Sequence, residues 1–403
     1  MSRLELIATA AFGLEAVVSR ELTALGYDQQ IVEDGRVTFA GDELAIGRCN
    51  LWLRSADRVL LKVGAFPAAD FGQLFDQTLA LPWAQWLTVD AQFPVEGRSV
   101  RSRLHAVPSV QKAVKKAIVE NLKKTHQRHW FQENGPVYPV EVSLLRDLAT
   151  LTIDTSGDGL HKRGYRPEVG VAPLRETTAA ALVLLSYWNP QRPFLDPFCG
   201  TGTIPIEAAL IARNKAPGLG RAFLAETWPQ IDRSLWKQAR EEARDLQRGA
   251  LKSPLLASDV DPKAVSLAVK NANDAGVSSD IQFRVMDVLE LKTTREYGVV
   301  ICNPPYGERI GDAESAAAIY DDMADAFAPL KTWSIYVLTS HPGFERHFRR
   351  RADRRRKLYN GRIECTYYQY FGPRPPGEST SDSDLQSPDR QGRDSGREAE
   401  SAS

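Results

Sequence analysis

The stretch Val299-Val300-Ile301-Cys302-Asn303-Pro304-Pro305-Tyr306 reads as a buried strand that ends on a rigid polar tip. Asn303 offers an amide oxygen, and Pro304 a carbonyl oxygen with no accompanying N–H. The two prolines hold those acceptors with little freedom left to lose. Tyr306 adds a flat aromatic face. The set suits a planar group bearing an NH2, such as the exocyclic amine of a base. The lone pair of such an amine is delocalised, so it is a poor nucleophile. Accepting both of its hydrogens favours a pyramidal nitrogen and stabilises the positive charge that develops when it attacks an electrophile. The plainer alternative is a stiff turn with no chemical role.

Three strand-like runs upstream each end on an acid. "FLDPFCGTGTIPIEAALIA" reads as strand, glycine turn and helix, with Asp196 at the tip, then Phe198, Gly200 and Gly202 in the turn. Glycine lets backbone approach a ligand closely. The lysine and longer glycine run of a phosphate loop are missing, so an acid beside this loop favours a cationic ligand. "LLASDVDPKAV" ends on Asp259 and Asp261, and "IQFRVMDVLEL" on Asp287. An acid at the second tip takes a ribose diol, and one at the third can accept from an adenine amino group. One crevice lined this way fits a ribose–adenine ligand with a positive centre. The alternative is that each aspartate caps the next helix; Asp261-Pro262 has that form.

The elements that must carry these tips alternate. From Pro193 onward, short apolar runs interleave with helical segments, which predicts an α/β fold with a Rossmann-like, doubly wound parallel sheet. Asn360-Gly361 between "RKLYN" and "RIECTYYQYF" predicts a closing antiparallel hairpin. Residues 1–65 read strand, helix, strand, helix, strand, a small α+β unit. Residues 66–160 hold a second such unit, whose last two strands join at Arg146–Asp147. The catalytic part spans 161–372. Residues 373–403 are rich in Pro, Ser, Gly, Asp and Arg, which predicts a disordered tail.

The chain has 403 residues and zero formal net charge, so nucleic-acid binding has to come from local patches. No apolar run has the length of a membrane span. Cys49, Cys199, Cys302 and Cys365 are scattered without metal-ligand spacing, which fits a reducing cytoplasm and no metal. Cys199 and Cys302 read as small core residues rather than nucleophiles. One patch stands out. The helix "SVQKAVKKAIVENLKKTHQRHW" puts Val110, Val114, Ala117, Ile118 and Leu122 on one face. Lys112, Lys115, Lys116, Lys123 and Lys124 lie mostly on the other, with Arg98, Arg101 and Arg103 just before. This is a candidate phosphate-contacting surface, or else a solvated lysine face. The arginine run from Arg346 to Lys357 is a second basic surface, or an edge strand kept soluble by charge.

"LDPFCGTG" with "NPPY" resembles the class I S-adenosylmethionine-dependent amino-methyltransferases. The resemblance implies that Asp196, Phe198, Gly200 and Gly202 hold the methionine part of the cofactor, Asp259 the ribose and Asp287 the adenine. It implies that Asn303, Pro304 and Tyr306 hold the target amine, with direct in-line methyl transfer. The helix at "PLRETTAAALVLLSYW" would close over the cofactor's carboxylate, with Arg175, Glu176 and Thr177 as candidates; the alternative is that these residues only cap and pack the helix. The N-terminal half resembles a ferredoxin-like unit followed by a THUMP RNA-binding domain. "GLHKRGYRPEVGVAPLRET", "NPPYGERI" and the Trp-bearing insertion after the first helix resemble bacterial 23S ribosomal RNA guanine-N2 methyltransferases. That resemblance implies guanine N2 in 23S RNA as the target, with Gly307, Glu308 and Arg309 as part of its signature. His161, Lys162, Arg163 and Arg166 could then meet RNA phosphates at the domain junction. Adenine-N6 methylation of nucleic acid, protein glutamine methylation and a non-catalytic RNA-binding assembly factor are the competing functions. A monomer is the default expectation.

Overall fold

The computed structural model describes residues 3–166, 174–306, 313–361 and 363–376. The expected signatures at Gly307, Glu308 and Arg309, the junction residues 167–173 and the tail from 377 lie outside the described residues.

The N-terminal half runs β1 (Leu4–Ala10), α1 (Glu15–Ala24), β2 (Gln30–Glu33), β3 (Arg36–Gly41), α2 (Glu43–Trp52), β4 (Ala56–Pro67), α3 (Phe71–Ala80), β5 (Val95–Val100), α4 (Val107–His126), β6 (Val140–Leu145) and β7 (Leu148–Asp154). All seven strands form one sheet, ordered β2-β3-β1-β4-β7-β6-β5. The long β4 pairs with β1 on one side and β7 on the other. The boundary expected at residue 65 therefore falls inside a strand that both units share. Arg146 and Asp147 both take positive φ, 51° and 62°, and turn β6 into β7 as expected. The edge strand β2 is additional to the expected elements. Its signal was Asp34-Gly35, a hairpin turn with Gly35 at φ +75°.

The second half continues with α5 (Glu176–Leu185), β8 (Phe194–Asp196), α6 (Thr203–Ala212), α7 (Arg233–Asp245), β9 (Leu255–Asp259), α8 (Pro262–Asp274), β10 (Ile281–Val285), β11 (Val299–Cys302), α9 (Ala313–Phe327), β12 (Ser334–Thr339), α10 (Phe344–His347), β13 (Arg354–Asn360) and β14 (Ile363–Tyr370). The sheet order is β10-β9-β8-β11-β12-β14-β13. The first five of these strands are parallel, and β14 and β13 close the sheet as the expected antiparallel hairpin. All four residues of β11 are fully buried, as a parallel strand covered on both faces requires. The strand order reverses at β8, which lies between β9 and β11. Ligands bind beyond the carboxyl ends of strands at such a switch point.

The insertion between α6 and β9 belongs to the other half of the molecule. Phe223, Ala225, Trp228, Ile231, Trp236 and Ala239 join the hydrophobic core of the N-terminal sheet. Trp228 stacks on Tyr138 with ring centres 4.7 Å apart. Arg48 of α2 makes a two-pronged pair with Glu242 of α7. A Cβ at Gly218 would meet the backbone of Asn50 and Leu51 at 2.7–2.8 Å, so only glycine allows that approach. In the other direction, Leu14 and Val17 from the N-terminal half enter the core of the second sheet. The two halves are thus interlocked.

Candidate active site

The register places the key tips together. Val300 pairs with Leu195, so Asn303 emerges just beyond Asp196 on the neighbouring strand. Asp196 is fully buried; its Oδ1 accepts from the Phe198 amide at 3.1 Å, and its Oδ2 has no partner. Burial pushes its carboxyl well above the usual range, and the charge of Asp259 adds to that. Asn303 Oδ1 is likewise buried without a partner. Two unsatisfied acceptors at neighbouring strand ends are what a ligand with N–H groups would complete.

The glycine turn between β8 and α6 is fixed from the next strand. The Gly200 amide donates to Asp259 Oδ2 at 2.8 Å, and the Cys199 amide to the Ser258 carbonyl at 2.9 Å. Gly200 has φ +50°, and a Cβ there would point into open space, leaving the cradle free for a ligand. Gly202 serves differently. Its Cβ would sit 3.0 Å from that of Ala268, so it lets α6 pack on α8. Phe198 is half-buried and packs against the core on the α9 side of the sheet.

Capping and ligand roles coexist at the other acids. Asp261 caps α8 through the Lys263 amide at 2.9 Å. Asp287 accepts from the Leu289 amide at 2.9 Å and is otherwise exposed. Asp259 accepts from Gly200 and, at 3.0 Å, from the Asp261 amide. Val260 and Leu289, 68% and 53% exposed, stand beside these acids. They offer apolar faces for a flat ring, and the sequence reading passed over them; the signal was their place next to strand-tip acids. The donor set therefore fits S-adenosylmethionine: an open glycine cradle, an unpaired buried acceptor for its ammonium, and two further acids beside exposed apolar side chains.

Several expected contacts are corrected. Tyr306 is only 3% exposed, and its hydroxyl accepts from Asn360 Nδ2 at 3.2 Å and from Cys365 Sγ at 3.6 Å. The ring belongs to the core under the closing hairpin rather than standing free to stack on a base. Thr177 is buried, and its hydroxyl donates to Asp57 Oδ1 at 3.4 Å, linking α5 to the N-terminal half. Glu176 pairs with Arg166 at 3.0 Å. Arg163 is not an RNA contact. Its side chain is buried, donates to the carbonyls of Leu160 and Arg54, and lies 3.5 Å from Glu207 of α6. Arg166 donates to Thr203 Oγ1 at 2.9 Å, directly behind the glycine turn. Lys162 is exposed and paired with Asp158 at 2.8 Å. Burial raises the Cys199 and Cys302 thiols far above their usual pKa, which fits core residues and not thiolate nucleophiles.

The helix α4 buries the expected apolar face. Lys112, Lys116 and Lys124 face solvent. Lys115 is tethered over the Phe93 ring at 4.0 Å and to Glu133 at 3.2 Å, and Lys123 to Glu120 at 2.9 Å. Arg101 is exposed, while exposed Arg103 lies 3.6 Å from Asp147. On the second basic run, Arg349 pairs with Asp325, Arg355 with Glu345 and Lys357 with Glu364. β13 is the edge of its sheet, so the charged-edge reading holds better there.

Comparison with known proteins fits this arrangement. Residues 163–369 match the RMKL-like methyltransferase domain, residues 5–60 the RlmL ferredoxin-like domain and residues 68–154 the THUMP domain. A Bacillus subtilis protein named "Putative RNA methyltransferase YpsC" is 49% identical over 94% of this chain and 99% of its own. A Listeria monocytogenes structure titled "predicted N6-adenine-specific DNA methylase" is 50% identical, with a TM-score of 0.88 over 93% of this chain and 97% of its own. A structure titled "SMU.472, a putative methyltransferase complexed with SAH" is 45% identical, with a TM-score of 0.88 over 93% of this chain and 100% of its own. Among the described residues, no helix is long and apolar enough to cross a membrane.

Proposed function

The chain belongs to the RMKL-like methyltransferase family, and from that footing we propose that it methylates the exocyclic N2 amine of a guanine in 23S ribosomal RNA, with S-adenosylmethionine as its cofactor. The observation that carries the chemistry is the pair of unpartnered buried acceptors, Asp196 Oδ2 and Asn303 Oδ1, at the ends of adjacent parallel strands.

S-adenosylmethionine, when bound, supplies a methyl group made electrophilic by a sulfonium sulfur. Asp196 would hold its ammonium group, Asp259 its ribose and Asp287 its adenine, with Gly200 leaving the space open. Asn303 Oδ1 and the Pro304 carbonyl would accept the two hydrogens of the target amine, which localises the nitrogen lone pair and stabilises its developing charge. Pro304 and Pro305 fix the geometry, so most of the rate gain comes from placement. Tyr306, bonded to Asn360 and Cys365, anchors that loop to the closing hairpin.

RNA as the polymer is supported by the THUMP domain, by the open lysine face of α4 and by the name of the Bacillus relative. Guanine rests on the resemblance carried by "NPPYGERI". Adenine N6 is the second reading, because Asn303 and Pro304 would accept that amine equally well and the Listeria structure is titled for it. The test is methylation of deproteinised ribosomal RNA by the purified protein with S-adenosylmethionine, followed by nucleoside mass spectrometry. N2-methylguanosine is the expected product. N6-methyladenosine would transfer the assignment to the second reading.

A further inference from the structure

Trp130 is 72% exposed, more than any other large apolar side chain among the described residues. It sits on a strap that leaves α4 at Gln127, whose φ of 53° ends the helix. The strap then doubles back along the same helix. Phe131 returns to His126, with ring centres 6.4 Å apart, and Glu133 reaches Lys115 at 3.2 Å. Phe131 packs against the N-terminal core while its neighbour Trp130 does not. The strap is therefore tied back to the helix at Phe131 and Glu133, with one exposed indole between the helix end at Gln127 and the first of those ties.

The exposed charges of the strap and of the helix it leaves are mostly basic: Arg128 on the strap and Lys124, Lys116 and Lys112 on the helix are exposed, while the strap's acid, Glu133, is taken up by Lys115. A lone aromatic ring among cations differs from a protein-docking patch, which presents contiguous apolar area. It matches the pairing of a stacking ring with backbone-neutralising charges that holds unpaired nucleotides. We propose that Trp130 is a stacking platform for an unpaired base of the RNA substrate, with Arg128, Lys124 and Lys116 taking the flanking phosphates. The proposal rests on the RNA reading above and adds to it: the substrate must offer a single-stranded element, a loop, bulge or end, at a site separate from the methylated base.

The test uses the full chain and two RNA duplexes, each annealed from two strands, one blunt and one with an unpaired extension carrying 2-aminopurine. On the wild type, the extended duplex binds more tightly and its 2-aminopurine fluorescence is quenched. Trp130→Ala loses about tenfold in affinity for the extended duplex and loses the quench, while the blunt duplex binds as before. Trp130→Phe keeps most of both. If wild type and Trp130→Ala bind and quench the extended duplex alike, the stacking platform is overturned and the RNA function stands. If Trp130→Ala instead leaves RNA binding intact and dissociates a dimer, the ring is a protein contact and the proposal falls. If the wild type binds neither RNA, the RNA reading fails and takes this one with it.

Discussion

Lys112 and Lys116 on α4 and Arg163 and Arg166 at the domain junction carry the same expectation in the sequence, contact with RNA phosphates, and the structure sends them to opposite places. The lysines face solvent on a helix whose other face is core. The arginines are buried against Glu207 and Glu176, and Arg166 bonds Thr203 behind the glycine turn. The difference is in the acids. The helix brings no buried carboxylate near Lys112 or Lys116, whereas α5 and α6 each turn one inward toward the junction. A basic residue near an acid that cannot reach water is a structural part; the same residue without one is free for a ligand. Sequence neighbours do not report this, because Glu207 lies more than forty residues from Arg163.

The largest expected effect is on the buried side. Arg163→Met leaves Glu207 without its ion pair and should lower folding stability by about 3 kcal/mol in urea denaturation. A loss below about 1 kcal/mol would mean that the junction is not the rigid coupling described. On the exposed side, Lys112→Gln with Lys116→Gln should leave stability within about 0.5 kcal/mol. The slope of log affinity for RNA against log salt should fall by about two. An unchanged slope would move the RNA path off α4. Lys115 is a poorer probe, being tethered to Phe93 and Glu133.

The smallest effect tests whether the junction tolerates more positive charge. Burial, with the cations Arg175, Arg163, Lys162 and Arg221, pulls the His161 pKa down to about 4. Its folded value lies below the unfolded one, so the neutral ring's contribution is full above the unfolded pKa of about 6.5. It is lost as pH falls toward the folded value. With solvent screening of this half-buried group, the loss between pH 7.5 and 5 should be about 1 kcal/mol or less. His161→Gln should flatten that portion of the pH–stability curve.

The catalytic sheet was legible because each tip carries its own local signal: an apolar run, then Asp196, Asp259, Asp287 or Asn303. Asn360-Gly361 gave the closing hairpin by the same kind of local turn chemistry, and Asp34-Gly35 could have given β2. What was not legible is long-range. Nothing near Trp228 or Trp236 says that an insertion in the catalytic half completes the N-terminal core. Nothing near Tyr306 says that Asn360 and Cys365 will bury it. Residues 1–65 and 66–160 read as two successive α+β units, and nothing local says that β4 hydrogen-bonds to strands of both.

The central claim is that Asn303 activates the target amine while the acids of the neighbouring strands hold the cofactor. It is tested most directly by comparing Asn303→Ala with the wild type in two assays, single-turnover methyl transfer to RNA and calorimetric titration with S-adenosylmethionine. The account predicts a fall in transfer rate of roughly 10²–10³-fold, by analogy with loss of one transition-state hydrogen bond, with cofactor affinity within about threefold of wild type. A parallel collapse of cofactor affinity, or a transfer rate that survives the substitution, would contradict it.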